Sequence, residues 1–261
     1  MCLLVLGWQA HPRYRLVVAA NRDEYHERPA APLGKWPAPH DILAGRDLRA
    51  GGTWLGVDRR RRFGVVTNFR ELQRPRPQAR SRGELIPRYL TEPGPVEDFL
   101  ARLQSEAQAY SAFNLLLADG ADGLWFVSNR SEPFARRLQP GVYGLSNHTL
   151  DAPWPKLERV RGRFEAWLRD PSDPPASALF AMLDDRTRVD QDAALPHTGL
   201  SPEWERILSS PFVLHPEYGT RCSTVLLIEA SGSLYLAERR FDPEGRPTGE
   251  TEFRLNDNEW P

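Results

Sequence analysis

The chain has 261 residues and a formal net charge of −1 at pH 7, and 40% of its residues are hydrophobic. That length allows one large domain or two small ones, each with a substantial core. The near-neutral charge excludes bulk electrostatic attraction to nucleic acid or to an anionic membrane surface. Two cysteines, Cys2 and Cys222, are too few for a disulfide-rich secreted scaffold, so we expect a reducing, cytoplasmic location.

The first apolar run, Leu3–Leu6, is far too short for a signal peptide or a membrane span, and no basic segment precedes it. We therefore expect no membrane span. The six histidines lack the spacing of a metal site, and no glycine-rich phosphate loop follows a strand. These patterns predict no metal and no cofactor, and a small molecule as the binding partner. No pattern in the sequence indicates the oligomeric state.

Strand patterns dominate the first third of the chain. One predicted hairpin joins Leu3–Trp8 to Arg15–Ala20, and a second joins Thr53–Val57 to Phe63–Thr67. Residues 27–50, which are rich in proline and glycine, are expected to form a long ordered loop between the hairpins. The run of four arginines within the second hairpin is either a basic patch or a solvated turn, and its position between two strands favours the turn.

Helices and further strands fill the rest of the chain. Helices are predicted over Ser81–Leu90, Val96–Gln108, Trp154–Leu168 and Ala176–Leu183. Strands are predicted over Phe113–Ala118, Leu124–Ser128, Val142–Ser146, Ser223–Glu229, Ser233–Glu238 and Thr251–Leu255, with loops over 171–175 and 185–220. Strands joined mostly as hairpins, with helices between them, predict an α+β protein with antiparallel sheets. No composition break marks a boundary, so residues 1–261 are expected to form a single domain.

The chain begins MCLLVLGWQ, and Cys2 has two interpretations. Removal of Met1 would leave a thiol and a free α-amine on the same residue, which is a nucleophile with its own base. The alternative is a small apolar residue at the start of a buried strand.

Polar residues Asn21-Arg22-Asp23-Glu24 directly follow the apolar run Leu16–Ala20. In the first hairpin the end of the second strand lies beside the start of the first, so we expect this segment close to Cys2. Alternation along the strand places Asn21 and Asp23 on one face and Arg22 on the other. An aspartate beside an α-amine would orient that amine. The alternative is a polar strand end with a local ion pair.

Six ordered motifs resemble those of the NRDE family, also called the transport and Golgi organisation type 2 family. The motifs are Met1-Cys2, Asn21-Arg22-Asp23-Glu24, Gly51-Gly52-Thr53-Trp54-Leu55-Gly56, Thr67-Asn68-Phe69-Arg70, Gly144-Leu145-Ser146-Asn147-His148 with Pro153-Trp154-Pro155-Lys156, and Thr220-Arg221-Cys222-Ser223-Thr224-Val225. They run from residue 1 to about 225 and so cover nearly the whole chain.

The same layout is similar to N-terminal nucleophile hydrolases of the penicillin V acylase and bile salt hydrolase type. That resemblance implies a four-layer αββα sandwich and catalytic roles for four residues at matching positions, namely Cys2, Asp23, Asn147 and Arg221. Cys2 would attack an amide or ester carbonyl, and Asn147 would donate a hydrogen bond to the developing oxyanion. Arg221 would favour the thiolate and hold a substrate carboxylate.

One position departs from the acylase layout. When the sequences are aligned on Asp23, the arginine that the acylases keep near the nucleophile falls on Ala20. Arg22 is a candidate substitute, although strand alternation aims it away from the face of Asp23.

Substrate-binding roles are predicted for Asn21, Arg22, Trp54 and Asn68. Trp54 either lines the pocket or packs in the core, and Asn68 is either a second oxyanion donor or an ordinary strand-end asparagine. Gly51-Gly52 is expected to mark a close approach between two backbone segments.

Two functions therefore remain open. The first is an amidohydrolase with Cys2 as its N-terminal nucleophile, acting on carbon–nitrogen bonds other than peptide bonds or on a related ester or thioester. The second is a binding or carrier protein on the same scaffold. The resemblance to the NRDE family implies haem or acyl-coenzyme A lipids as its ligands. The four matching site residues favour the hydrolase.

Overall fold

A computed structural model describes residues 3–71, 79–172 and 174–261. The strands in these ranges are β1 (Leu3–Trp8), β2 (Tyr14–Tyr25), β3 (Ala30–Lys35), β4 (Ile42–Asp47), β5 (Leu55–Asp58), β6 (Phe63–Asn68), β7 (Phe113–Ala118), β8 (Leu124–Ser128), β9 (Ala135–Arg137), β10 (Gly141–Leu145), β11 (Tyr218–Glu229), β12 (Leu234–Phe241) and β13 (Pro247–Leu255). The α-helices are α1 (Leu85–Thr91), α2 (Val96–Glu106), α3 (Pro155–Arg169), α4 (Ala176–Leu183) and α5 (Pro202–Ile207). None of the helices in the described ranges is long and apolar enough to cross a bilayer.

The chain forms two compact units. The first unit consists of Met1–Glu27 and Pro140–Asn258, and the second consists of Arg28–Gln139 and Glu259–Pro261. The expectation of a single domain stays a prediction.

The first unit is built on a six-stranded antiparallel sheet in the order β10-β1-β2-β11-β12-β13. Helices α3 and α4 cover one face of this sheet. On α3, buried Leu157, Val160 and Phe164 recur at helical spacing and pack on strand residues such as Val5 and Ala19. Pro155 begins this helix, where its missing N–H costs no intrahelical hydrogen bond.

The second unit contains a seven-stranded antiparallel sheet whose strands, β3 to β9, are neighbours in chain order. Helices α1 and α2 cover one face. Their buried Ile86, Tyr89 and Phe99 pack with Leu115 and Leu117 of β7, which alternate toward that face.

The prediction of a long loop over residues 27–50 is wrong, because this segment contains β3 and β4. Proline is tolerated in edge strands, and β3 is an edge of its sheet. The register of the β3–β4 pair shifts between Ala31 and Gly34, around Pro32, so the strand pattern is interrupted there. Two further elements were not predicted, β9 and the short α5 within residues 185–220.

The interpretation of the four arginines as a solvated turn is wrong for two of them. Arg59 and Arg60 are exposed, but only 4% of Arg61 and 5% of Arg62 is accessible to solvent. Arg61 adopts a left-handed backbone conformation with φ of 62°, which reverses the chain within the hairpin.

A close backbone approach at Gly52 confirms the prediction made for the Gly51-Gly52 pair. Thr53 N donates to the carbonyl oxygen of Gly83 at 2.9 Å. A Cβ atom added to Gly52 would lie 2.3 Å from that carbonyl group. We expect Gly52→Ala to destabilise the protein by about 1–3 kcal/mol, as overpacking does elsewhere. The measurement is the urea-unfolding free energy, and Gly34→Ala is the control, since its added Cβ has no neighbour closer than 3.8 Å. Equal losses for the two variants would contradict the prediction.

Asp185 anchors the segment after α4 and is 8% exposed. Burial raises the pKa of Asp185, but hydrogen bonds from Thr187 and the charges of Arg159 and Arg163 outweigh it, so the pKa lies below its ordinary value. A carboxylate with a lowered folded-state pKa contributes stability above its unfolded pKa of about 3.9, and this stability is lost as the pH falls through the folded-state pKa.

Asp185→Asn should therefore lower the unfolding free energy by about 1 kcal/mol at pH 7. The difference from wild type should shrink at about pH 3 and below, where the wild-type carboxylate also becomes protonated. Denaturant unfolding at both pH values checks this. Asp184→Asn is the matched control, because the neighbouring side chain is 53% exposed and should matter little at either pH. A pH-independent loss for Asp185→Asn would contradict the prediction.

Candidate active site

The predicted first hairpin is confirmed, and it places the end of β2 beside the start of β1. The pairing begins with Leu3 opposite Asn21. Cys2 itself lies outside the described residues. On its other side β2 pairs with β11, so that Asn21 faces Ser223 and Asp23 faces Thr220.

Asp23 is held in place by a chain of hydrogen bonds and is only 3% exposed. Its Oδ1 accepts a hydrogen bond of 2.6 Å from the hydroxyl of Thr220. The same hydroxyl oxygen accepts a hydrogen bond of 2.9 Å from the backbone N–H of Val213. The carboxylate is therefore oriented by β11 and by the loop that precedes it.

Asn21 is fully buried and bound to the protein's own chain. Its Oδ1 accepts from the Ser223 hydroxyl at 2.6 Å, and its Nδ2 donates to the carbonyl oxygens of Leu183 and Pro211, each at 2.9 Å. These bonds connect β2 to the end of α4 and to the loop before β11. The geometry favours a structural role for Asn21 over the ligand contact expected from the sequence.

Arg22 lies on the opposite face of the sheet from Asn21, in agreement with strand alternation, and is 4% exposed. The same alternation places Arg22 on the face of Ala20, where the acylase arginine is expected. Ala20 pairs with Leu4 of β1, and Arg22 pairs with Cys222 of β11. The argument that alternation removes Arg22 from the role of substitute is therefore wrong, because it compared Arg22 with Asp23 instead of with Ala20.

Cys222 is the neighbour of Arg22 across the strand pair and is buried. Burial raises the pKa of the Cys222 thiol well above its ordinary value. The nearby Glu238 carboxylate raises that pKa further, whereas the charge of Arg22 opposes the shift. A thiol in this environment stays protonated at neutral pH and is a poor nucleophile.

Arg221 occupies an irregular point of β11, where the register with β2 shifts between Thr220 and Cys222. Such irregularities turn a side chain away from the regular alternation of the strand. Arg221 Nη1 donates to the carbonyl oxygens of Tyr25 and His26, at 2.9 and 3.0 Å. Burial lowers the pKa of the Arg221 guanidinium, and the charge of Arg22 lowers it further, so the two cations lie within electrostatic range.

Asn147 follows β10, which pairs with the other side of β1. Leu145, the last residue of β10, faces Leu4, and Asn147 is two residues further along and 3% exposed. A turn closed by Asp151, whose carboxylate accepts from Gly144 N at 2.7 Å, holds this segment. Residues from two neighbouring strands, Asp23 and Asn147, thus flank the start of β1.

The other two predicted binding residues belong to the second unit. Trp54 precedes β5, is 6% exposed, and its carbonyl oxygen accepts from Val66 N at 2.9 Å. Asn68 ends β6, pairs with Phe113 and is exposed. The structure describes each of them within that unit.

Comparisons with known proteins identify the family. A model of the family Transport and Golgi organisation 2 matches residues 1–243. The chain belongs to this family. It is similar to a Transport and Golgi organization protein 2 homolog of Bos taurus, at 35% identity over 98% of this chain and 99% of the relative. It is also similar to a homolog of Homo sapiens, at 34% identity over 92% of each chain, and to a protein of Drosophila melanogaster, at 27% identity over 94% of this chain and 95% of the relative.

Two solved structures show the fold. A cysteine-to-alanine mutant of conjugated bile acid hydrolase from Clostridium perfringens matches with a TM-score of 0.50 at 8% identity, over 98% of both chains. A Caenorhabditis elegans ortholog of N-acylethanolamine-hydrolyzing acid amidase also matches with a TM-score of 0.50, at 10% identity, over 87% of this chain and 92% of that one. The predicted α+β fold, with two antiparallel sheets and helices in the manner of the N-terminal nucleophile hydrolases, is confirmed.

Proposed function

We propose that this protein is a hydrolase whose nucleophile is the thiol of an N-terminal Cys2, exposed by removal of Met1. Its substrates would be amides other than peptides, or related esters or thioesters. The observation that carries the proposal is the placement of Asp23 and Asn147 on either side of the start of β1. Because consecutive Cα atoms are about 3.8 Å apart, the bond to Leu3 tethers Cys2 within one residue step of this point.

The reaction that we propose begins with proton transfer from the Cys2 thiol to its own α-amine. An α-amine has an unperturbed pKa of about 7.7–8.0, which suits a base near neutral pH. Asp23 would orient the resulting ammonium group. The thiolate attacks the substrate carbonyl carbon, and Asn147 donates a hydrogen bond to the developing oxyanion.

Collapse of the tetrahedral intermediate breaks the bond to the leaving amine, alcohol or thiol, which takes the proton from the ammonium group. Water then attacks the thioester between Cys2 and the acyl group, and the acid is released. The cationic side chains Arg22 and Arg221 would favour the thiolate and attract an acidic group on the substrate.

A second candidate is a binding or carrier protein for haem or acyl-coenzyme A lipids. The surface beside Arg221 supports it, since the Tyr25 side chain is 51% exposed and packs edge-to-face on Tyr218 with ring centroids 5.2 Å apart. An exposed aromatic pair next to a cation suits a ligand with an apolar body and an acidic group. The small number of cysteines supports a cytoplasmic location for either function.

Two measurements test the proposal without knowledge of the substrate. The intact mass of the protein from its native cells shows whether Met1 is removed. Alkylation by iodoacetamide at pH 7, followed by peptide mass spectrometry, reports the separate reactivities of Cys2 and Cys222. We expect loss of Met1 and a Cys2 at least about tenfold more reactive than the same residue in the unfolded chain. Retention of Met1, or a Cys2 of ordinary reactivity, would favour the carrier.

A further inference from the structure

We propose that Thr220 is a positioning residue that fixes the carboxylate of Asp23 toward the nucleophile. This inference rests on the proposed function, because it names a residue that the nucleophile depends on without touching it. Thr220 is 1% exposed and faces Asp23 across the β2–β11 pair. The two positions are 197 residues apart in the sequence, so the pairing exists only in the folded protein.

The hydrogen-bonding capacity of a hydroxyl decides the direction of this contact. A threonine hydroxyl has one hydrogen to donate, whereas a backbone N–H can only donate. Since Val213 N donates to the Thr220 oxygen, the hydroxyl hydrogen is directed to Asp23, and Oδ1 of Asp23 must accept it. The contact therefore stabilises the acceptor form of Asp23, which is the form able to hold a protonated amine.

The Thr220 backbone is itself immobilised. Its N–H donates to the carbonyl oxygen of Val213 at 2.9 Å, so the backbone and the side chain of Thr220 both bind that residue. Val213 is fully buried in a small cluster with Ile207 and Leu208. The hydroxyl is thus held at two points, and the orientation of Asp23 follows from a rigid support.

Ser223 offers a matched comparison on the same strand. Its hydroxyl donates to Asn21 at the same distance of 2.6 Å, it is 2% exposed, and it faces the same strand β2. Asn21 carries no charge and its amide donates to backbone carbonyls. A Ser223→Ala variant therefore removes an equally buried hydroxyl without disturbing Asp23.

The experiment measures the alkylation rate of Cys2 by iodoacetamide at pH 7 in wild type, Thr220→Val, Thr220→Ser and Ser223→Ala. We expect Thr220→Val to slow Cys2 about tenfold, the effect of losing one hydrogen bond to a charged group. Thr220→Ser, which keeps the hydroxyl, should restore most of the wild-type rate. Ser223→Ala should alter the rate by less than about twofold, although it loses stability of the same order as Thr220→Val.

A double variant tests whether Thr220 acts through Asp23. Thr220→Val combined with Asp23→Asn should react no more slowly than Asp23→Asn alone. A fast Cys2 in wild type that Thr220→Val leaves unchanged would overturn the inference and keep the proposed function. Equal slowing by Ser223→Ala would also overturn it. A wild-type Cys2 of ordinary reactivity would overturn the proposed function and the inference with it.

Discussion

Cys2→Ala is expected to abolish turnover of an amide or thioester substrate while the protein remains folded. Loss of the nucleophile removes the covalent step itself, so we expect the rate to fall by at least about a thousandfold. The fold should survive because β1 is secured by its neighbours, with Leu3 to Trp8 paired to β2 on one side and Leu4 to Trp8 paired to β10 on the other. Turnover and the midpoint of urea unfolding, measured on the same preparation, separate the two effects.

Cys222→Ala is the matched control for this prediction. It removes the other cysteine, which is buried and has a raised thiol pKa because of that burial. We expect the variant to retain turnover and to lose about 1 kcal/mol of stability, typical of a small cavity. If Cys2→Ala changed only the affinity for a haem or acyl-coenzyme A ligand, and no substrate were consumed by wild type, the carrier function would replace the hydrolase.

The local part of the candidate site could be predicted from the sequence. A polar tetrapeptide after an apolar run marks a strand end, and a short connection fixes which strand pairs with it. This reasoning placed Asp23 beside the start of β1 correctly. The partners of Asp23 and Asn21 could not be predicted in this way, since Thr220 and Ser223 are contributed by a strand about 200 residues away.

Backbone irregularities explain most of the remaining errors. The register shift at Arg221 removes that side chain from simple alternation, and no single-residue pattern indicated it. The edge position of β3, with Pro32 inside it, made a strand resemble a loop. The left-handed conformation of Arg61 likewise hid the burial of two arginines within a charged run.

The second large effect concerns Arg62, which is a buried connector of the second unit. Its Nε donates to Asp58 Oδ2 at 2.8 Å, and its N–H donates to Oδ1 of the same carboxylate at 2.9 Å. The guanidinium also donates to the carbonyl oxygens of Glu92, at 2.9 Å, and of Leu90. Arg62 therefore ties the β5–β6 hairpin to the end of α1, and its cation lies 5.2 Å from the ring centre of Tyr89.

Arg62→Met should lower the unfolding free energy by about 3–5 kcal/mol, the cost of removing one partner from a buried ion pair. The substitution leaves the carboxylate of Asp58, which is 5% exposed, without this partner and deprives two carbonyl groups of their donor. Arg60→Met is the matched control, because Arg60 approaches the same carboxylate at 3.5 Å but is 57% exposed, and we expect a loss below about 1 kcal/mol. Urea unfolding followed by tryptophan fluorescence measures both losses.

The double variant Asp58→Asn with Arg62→Met distinguishes a buried charge from a lost packing contact. If the uncompensated carboxylate causes most of the loss, neutralising it should recover part of the stability, and the double variant should be more stable than Arg62→Met alone. If the lost contacts to the carbonyl groups at the end of α1 dominate, Asp58→Asn should add nothing or cause a further loss. Equal costs for Arg62→Met and Arg60→Met would contradict both accounts, because they would mean that burial of the Arg62 guanidinium contributes nothing to its effect.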